Sequence, residues 1–386
     1  MRILLHLVDL RVGGAQHATI DLAVGLRTAG HDVTLAAGPG PLESVAADRD
    51  VTLRLLPRGP HPRRTAVRAV RAVIDEVQPE VILAFGPWAA MESVAAARGR
   101  PVVAWHPSAT LPPDSPRTTP VVARRRAVLD AARRRNPFVA DLPAAVDCTY
   151  NHAGLDGSAF RTEGEALVVL VTRLAKEQKA AGLELAIRAA AVLAARRPAR
   201  LLIVGDGGYR AEVEALVAVE GGGAVTLLEE VADPRPVYAA ADVVLGLGTS
   251  VLRGMAMGRP SIVLGPEGQA VAVSDAAVPD LVATGWLASG PPAAPGELAG
   301  LIEGLLDAPE PAATIGRTAV LAERDTPRIV EGLEPVLARA DAEPPSRLAA
   351  RVDVLRSWSG WWVRTYGGRY RRKLRYRLRR RSAAAT

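Results

Sequence analysis

The stretch from Asp242 to Gly265 contains residue types that can bind a phosphate group. It begins with a short apolar run that predicts a buried strand, and Gly246 and Gly248 then allow a sharp turn into a helix that Ser250 can cap. A glycine loop at a helix N-terminus presents free backbone N–H groups and the positive end of the helix dipole, which favour an anion. Such loops also occur in ordinary strand–turn–helix units, so this stretch alone indicates either a phosphate site or a tight turn.

Strands and helices alternate along the rest of the chain, which predicts parallel sheets covered by helices. We expect strands at Arg2–Leu10, His31–Ala37, Val51–Leu56, Pro79–Phe85, Pro101–Trp105, Ala166–Val171, Ala199–Val204 and Val225–Leu228. We expect helices at Ala15–Ala29, Thr65–Val77, Gly182–Ala195 and Tyr209–Val219. The polar segment Asp147–Glu165 has no periodicity and predicts a linker between two α/β units, with a ligand cleft between the carboxyl ends of their strands.

Composition narrows the class of protein. The chain has 386 residues, of which 49% are hydrophobic and only 4% aromatic, which suits two α/β domains and excludes disorder throughout. The one cysteine, Cys148, cannot form an internal disulfide and gives no argument for an oxidising compartment. The N-terminus resembles a first strand rather than a signal peptide, and no apolar run approaches the about 20 residues of a membrane span. We therefore expect a cytoplasmic protein, either free or peripheral at the membrane.

Positive charge is concentrated at the end of the chain. Residues 346–386 carry a net charge of +12, so the preceding residues carry −5 of the total of +7. An acidic body argues against a nucleic-acid-binding body, whereas tryptophans beside dense arginine predict contact with an anionic membrane. RNA binding and a disordered tail are the alternatives for this segment. The residues expected to contact lipid are Trp358, Trp361, Trp362, Arg371, Arg372 and Lys373.

A second basic segment, Arg117–Phe138, predicts a helix that either faces an anionic membrane or acceptor or is simply solvated.

Several short motifs follow one another along the chain. They are GGAQ at Gly13–Gln16, NHAGLDGSAF at Asn151–Phe160, VTRLAKEQKAAGLELAIRA at Val171–Ala189, GDG at Gly205–Gly207 and MAMGRP at Met255–Pro260. Together they resemble the retaining glycosyltransferases of family 4. The resemblance implies an α/β GT-B fold, in which two Rossmann-like domains with parallel sheets face each other across a cleft. The implied divisions are an acceptor-side domain at 1–150, a linker at 151–165, a nucleotide-sugar-binding domain at 166–325, a C-terminal helix at 326–345 that can cross back to the first domain, and the basic tail at 346–386.

The resemblance also implies a donor site at the strand ends. The implied donor-binding residues are Gly13, Gly14, Arg173, Lys179, Gly205, Asp206, Gly207, Gly248, Thr249, Ser250 and Arg253. Fixed cations and backbone N–H donors suit a nucleotide diphosphate, although Arg173 and Lys179 could also be solvated residues at a helix start. His106 follows a strand where the family often places a histidine facing the donor sugar, so we expect it to be catalytic; a purely structural histidine is the alternative.

One departure from the family concerns two positions that are usually glutamates, which contact the donor sugar and the ribose. They are occupied here by Leu245 and Arg253. A guanidinium can pair with donor phosphate but cannot accept hydrogen bonds from ribose hydroxyls. Glu267, just after the next strand, is the candidate substitute and the second expected catalytic residue; an exposed loop acid is the alternative.

The expected function is transfer of a sugar from a nucleotide-diphosphate-sugar donor to a glycolipid or cell-envelope glycan acceptor, with the retention of anomeric configuration that the resemblance implies. The histidines other than His106 show no metal-ligand spacing, so we expect no metal and no cofactor besides the nucleotide-sugar co-substrate. The alternative is a degenerate GT-B protein that binds nucleotide or glycan without turnover, which Leu245 and Arg253 favour. A nicotinamide enzyme is disfavoured because no strand leads into a GxGxxG turn.

Overall fold

Two α/β domains face each other across a cleft in the computed structural model of the chain. The structure describes residues 1–57, 64–107 and 110–383, with side chains as far as residue 365. The expectation of two Rossmann-like domains with a cleft between them is confirmed. No helix among these residues is long and apolar enough to cross a membrane.

The N-terminal domain has a sheet of seven strands. They are β1 (Arg2–Asp9), β2 (Asp32–Gly38), β3 (Thr52–Leu55), β4 (Val81–Phe85), β5 (Val102–Trp105), β6 (Val121–Ala123) and β7 (Val139–Asp141). All pair in parallel, in the order β3-β2-β1-β4-β5-β6-β7. The helices of this domain are α1 (Gly14–Thr28), α2 (Glu43–Asp48), α3 (Arg64–Val77), α4 (Gly86–Ala97) and α5 (Arg126–Arg133). The central strands are buried on both faces, as is typical of a sheet covered by helices.

The C-terminal domain has a sheet of six strands. They are β8 (Ala166–Val171), β9 (Ala199–Val204), β10 (Val225–Leu228), β11 (Val243–Gly246), β12 (Ser261–Leu264) and β13 (Ala270–Ala272). Their order is β10-β9-β8-β11-β12-β13, and only β13 runs antiparallel to its neighbour. The helices are α6 (Ala180–Ala194), α7 (Arg210–Glu220), α8 (Arg235–Ala240), α9 (Thr249–Ala256), α10 (Val278–Thr284), α11 (Pro295–Asp307) and α12 (Pro309–Arg324), with a 3-10 turn at Ser158–Phe160 before β8.

The chain crosses between the domains twice, and the two crossings lie side by side. The Val146 N–H donates to the carbonyl of Arg324 at 2.9 Å, and the Cys148 N–H donates to the Asp325 carboxylate at 3.2 Å. After the second crossing, α13 (Thr326–Ala342) packs on α1 and buries Ile329 and Leu333 in the core of the N-terminal domain. The helix that follows α13, which is the last one of the chain, therefore begins on the N-terminal domain.

Helix α14 (Arg347–Ala383) contacts α4 through its first half. Asp353 is buried and accepts hydrogen bonds from the Arg117 N–H at 2.6 Å and from the Thr118 N–H and hydroxyl at 2.7 and 2.8 Å. Arg364 forms an ion pair with Asp114 at 2.7 Å. The basic tail expected from residue 346 is thus a docked helix as far as residue 364.

The tryptophans of this helix differ in their surroundings. Trp358 packs against the core beneath α4, and the Trp361 ring lies edge-on to Trp88 at 5.8 Å, whereas Trp362 is half exposed. The side chains of Arg371, Arg372 and Lys373 lie outside the described part of the helix.

The single basic helix predicted over residues 117–138 is wrong. Val121 and Val122 belong to strand β6, because their β-branched side chains are buried in the sheet beside β5, and the helix α5 covers only Arg126–Arg133.

We predict that Asp353→Ala lowers the free energy of unfolding by about 2 to 4 kcal/mol, because it leaves the partly buried N–H groups of Arg117 and Thr118 without an acceptor. Urea denaturation measures this difference. The matched control is Asp341→Ala, which removes an exposed acid from α13. Equal stability of the two variants would show that the Asp353 contacts do not hold α14 in place.

Candidate functional site

A cavity of about 720 Å³ lies between the two sheets, at the carboxyl ends of their strands. Most of the predicted donor-site residues line it, together with His106. Those in its wall are Gly13, Gly14, His106, Arg173, Lys179, Gly205, Asp206, Gly248, Thr249, Ser250 and Arg253. Gly207 and Glu267 are not among the lining residues. The structure therefore brings together residues that lie as far apart in sequence as Gly13 and Arg253.

The glycines of the first loop let the two domains approach closely. A Cβ atom added at Gly14 would overlap the Thr249 hydroxyl, and one added at Gly13 would lie 3.0 Å from the Arg173 guanidinium. Gly207 has a different role from the expected one: a Cβ there would overlap the Leu174 carbonyl, so this glycine packs the loop after β9 against the loop after β8.

Arg173 and Lys179 place two cations in the wall of the cavity. Lys179 is half-buried, and its ammonium donates to the Thr172 hydroxyl at 2.9 Å. Burial lowers the pKa of Lys179 to about 8, and the nearby charge of Arg173 acts in the same direction. Within the described residues no carboxylate pairs with either side chain. Two neighbouring cations without a counter-ion favour an anionic ligand.

The N-terminus of α9 adds backbone donors to the cavity. Gly248 precedes the helix with a positive φ of 60°, which a glycine adopts readily. The expectation that Ser250 caps this helix is wrong, because its hydroxyl donates to the Leu247 carbonyl at 3.1 Å and the N-cap residue is Gly248. The N–H groups of Thr249 and Ser250 have no acceptor among the residues described. They are available, with the positive end of the helix dipole, to an anion in the cavity.

His106 is almost fully buried, at 2% exposed, in the wall contributed by the N-terminal domain. Burial lowers its pKa to about 4, and the charge of Arg135 contributes. The imidazole is therefore neutral near pH 7. Its Nδ1 atom has no hydrogen-bond partner in the described part of the chain. A neutral, unpartnered ring nitrogen in a cavity suits a ligand hydroxyl.

The guanidinium of Arg253 does not reach into the cavity as an unpaired phosphate ligand. It is buried, donates to Asp21 of α1 at 2.6 Å and lies 3.3 Å from the Asn151 side-chain oxygen. Asp21 also pairs with Arg49, which in turn pairs with Asp147. Burial alone would raise the pKa of Asp21, but Arg253 and Arg49 together hold it below its ordinary value. The expected phosphate contact of Arg253 is replaced by an ion pair between the domains.

The other two positions considered for a carboxylate provide none at the cavity. Leu245 is buried in β11 and packs in the core of the C-terminal domain. Glu267 is exposed in the turn between β12 and β13, where its carboxylate lies 3.4 Å from the Gln269 amide, which corrects the expectation that it replaces the donor-site acid. The carboxylates that do line the cavity are Glu177, Asp206 and Glu230.

Sequence reasoning missed Asp21, although one signal was present. Asp21 lies among Ile20, Leu22 and Ala23 on the buried side of α1, and an acid on an apolar helix face needs a partner. His17, on the same helix, also lines the cavity and has a buried Nε2 atom without a partner in the region described. Nothing in its spacing had suggested a role.

We predict that Arg253→Glu lowers the free energy of unfolding by about 3 to 5 kcal/mol, because it sets a second carboxylate against the buried Asp21. Urea denaturation measures the loss, and Arg328→Glu, on the exposed side of α13, is the charge-matched control. If the variant is as stable as the control and binds diphosphate more weakly than the unaltered chain does, Arg253 contacts phosphate as first expected.

Comparison with known proteins gives matches on both sides of the cleft. Residues 12–135 match the family model Glycosyltransferase Family 4, and residues 165–308 match the model Glycosyl transferases group 1. No curated protein sequence matches the chain.

Solved structures resemble the chain over most of its length. HepE of Anabaena, solved in complex with UDP and glucose, is 19% identical with a TM-score of 0.68, covering 88% of this chain and 99% of its own. Sucrose-phosphate synthase from Thermosynechococcus elongatus is 18% identical with a TM-score of 0.64, covering 89% and 99%. WaaG, a glycosyltransferase involved in lipopolysaccharide biosynthesis, is 14% identical with a TM-score of 0.58, covering 87% and 99%. The fold and the two family matches show that the chain belongs to the group 1 glycosyltransferases with a GT-B fold.

Proposed function

We propose that the chain transfers a sugar from a nucleotide-diphosphate-sugar donor to a glycolipid or cell-envelope glycan acceptor, with retention of anomeric configuration. One observation carries the donor assignment: Arg173, Lys179 and the N-terminus of α9 line one cavity without a carboxylate partner in the described chain. HepE, which resembles this chain, has been solved with UDP-glucose. The family resemblance is the support for retention.

In the proposed sugar transfer, residues of both cavity walls have a role. The acceptor hydroxyl forms a bond to the anomeric carbon while the bond from that carbon to the diphosphate oxygen breaks, and the hydroxyl proton leaves with the departing phosphate. Negative charge increases on the diphosphate in this step, where Arg173, Lys179 and the N–H groups of α9 stabilise it. The neutral His106 accepts or donates a hydrogen bond at a hydroxyl of the donor sugar or of the acceptor, which meet at the reacting carbon. On this proposal fixed cations neutralise the diphosphate, so the reaction needs no metal.

A second candidate function is binding of a nucleotide or glycan without turnover. Leu245 and Arg253 favour it, because neither can accept hydrogen bonds from donor hydroxyls as a carboxylate does. Release of nucleotide diphosphate distinguishes the two candidates.

We also propose that α14 holds the protein at the cytoplasmic face of an anionic membrane. Apolar side chains on this helix are exposed although the helix is docked, and they recur at helical spacing. They are Leu348, Val352, Leu355, Trp362 and Val363. The sequence continues beyond them into RYRRKLRYRLRRR, and apolar side chains followed by dense basic charge suit an anionic lipid surface.

We predict that Arg173→Gln and Lys179→Ala each weaken UDP binding about tenfold or more, because each removes a charge-assisted contact to phosphate. Isothermal titration calorimetry measures the affinity. Lys176→Ala is the control, since Lys176 is exposed on the same loop and does not line the cavity. Unchanged affinity in both cavity variants would remove the donor-site assignment.

Lys179 also makes UDP affinity depend on pH. Because its pKa is lowered to about 8, the ammonium is charged below that pH and loses its proton above it. The affinity for UDP should therefore be full near pH 7 and fall as the pH rises from about 8 to 10, whereas Lys179→Arg should stay level over this range. The same decline in Lys179→Arg would assign the titration to another group.

For the membrane proposal, we predict that removal of residues 366–386 reduces binding to vesicles of phosphatidylglycerol, while UDP affinity is unchanged because the docked part of α14 is retained. Flotation at low and high salt measures binding, which should weaken as salt rises. Leu355→Ser, on the exposed stripe, tests the apolar contribution, with Ser359→Ala on the same helix as its control. Equal flotation of the full and shortened chains would contradict the proposal.

A further inference from the structure

We propose that the acceptor carries a phosphate group that binds Arg125 at the N-terminus of α5. This inference rests on the proposed function and specifies its acceptor. The observations that carry it are the charges of the cavity, the position of Arg125 and the unpartnered nitrogen of His106.

The cavity wall has an excess of positive charge. Its basic residues are Arg124, Arg125, Arg126, Arg173, Lys179, Arg253 and Arg324. The three carboxylates that face them, Glu177, Asp206 and Glu230, all follow strands of the C-terminal domain. The loop after β6, in contrast, contributes three arginines and no acid to the wall.

Carboxylates already neutralise four of these cations. Arg253 pairs with Asp21 at 2.6 Å. Glu323 pairs with Arg124 at 3.0 Å and with Arg324 at 3.2 Å. Arg126 lies 3.7 Å from Asp130 on the exposed side of α5. In the portion of the chain that the structure describes, Arg125, Arg173 and Lys179 remain without a carboxylate partner, and Arg125 alone of the three belongs to the N-terminal domain.

The position of Arg125 suits a phosphate. Its side chain is half-buried, lines the cavity and has no carboxylate partner among the described residues, so its guanidinium is available to an anion. It is also the N-cap residue of α5, and its carbonyl accepts from the N–H groups of Val128 and Leu129. The preceding N–H groups, at Arg126 and Ala127, have no backbone acceptor in the described chain. They add donors and the helix dipole beside the guanidinium.

His106 is the second, independent sign of a ligand at this wall. The backbone N–H of His106 donates to the Val122 carbonyl of β6 at 2.8 Å, so the end of β5 lies beside the strand that leads to Arg125. Its Nδ1 atom is buried in the cavity wall without a described partner. An acceptor that places a hydroxyl at His106 and a phosphate at Arg125 is a phosphorylated alcohol or sugar. Arg173 and Lys179 remain for the donor.

The test uses protein saturated with UDP, so that the donor cations are occupied. Calorimetric titration compares glycerol 3-phosphate with glycerol. We expect glycerol 3-phosphate to bind and glycerol not to bind, and we expect Arg125→Gln to weaken the phosphate ester about tenfold or more while UDP affinity is unchanged. Arg134→Gln, at the exposed C-terminal end of α5, is the control that should bind both ligands as the unaltered chain does.

The outcomes separate this inference from the proposed function. Failure of the unaltered chain to bind UDP overturns the donor site itself. UDP binding combined with no binding of glycerol 3-phosphate, or with equal binding by Arg125→Gln, overturns the phosphate site alone. Where the ester binds, competition by a short-chain phosphatidylglycerol identifies a phospholipid head group as the acceptor phosphate, and absence of competition identifies a soluble phosphate ester.

Discussion

The buried carboxylate of Asp21 constrains how the two domains meet. An acid that is almost fully removed from water must have cations close by, and two arginines from different parts of the chain provide them. Arg253 comes from the first turns of α9 in the C-terminal domain, and Arg49 follows α2 in the N-terminal domain. The ion pair therefore holds α9 against α1. Because Gly14 and Thr249 touch in the same region, the spacing of the cavity walls depends on this contact.

The ion pair has a consequence for donor recognition. Arg253 occupies the position at which relatives are expected to bind the ribose through a glutamate, and it forms an ion pair between the domains instead. Leu245 occupies the other position at which an acid is expected, and it packs in the core. On the proposed function, donor binding then depends more on the diphosphate, through Arg173, Lys179 and the N–H groups of α9. Recognition by charge-assisted hydrogen bonds supplies affinity for any nucleotide diphosphate, so selectivity among bases and sugars must come from other parts of the wall.

Much of the fold could be predicted from sequence, because each buried parallel strand corresponds to a short run of β-branched and other apolar residues. Strands such as Ala166–Val171 and Ala199–Val204 occur at the predicted residues. The glycine loops and the positions of Arg173 and Lys179 in the cavity wall were also predictable, because these residues follow the ends of strands. The partner of Arg253 was not, because Asp21 lies 232 residues away and only the packed domains bring the two together. The docking of α14 depends on Asp353, whose hydrogen bonds reach residues 117 and 118 across a similar separation.

On the proposed function, this cavity turns over a nucleotide-diphosphate sugar although Leu245 and Arg253 stand where the resemblance predicts glutamates. The most direct measurement is the rate of UDP release from UDP-glucose and related UDP-sugars, with and without a lipid extract as acceptor, in the unaltered chain and in the Arg173→Gln, Lys179→Ala double variant. We expect release of UDP by the unaltered chain and loss of this release in the double variant. UDP binding with no release from any UDP-sugar would contradict it and assign the chain to binding without turnover.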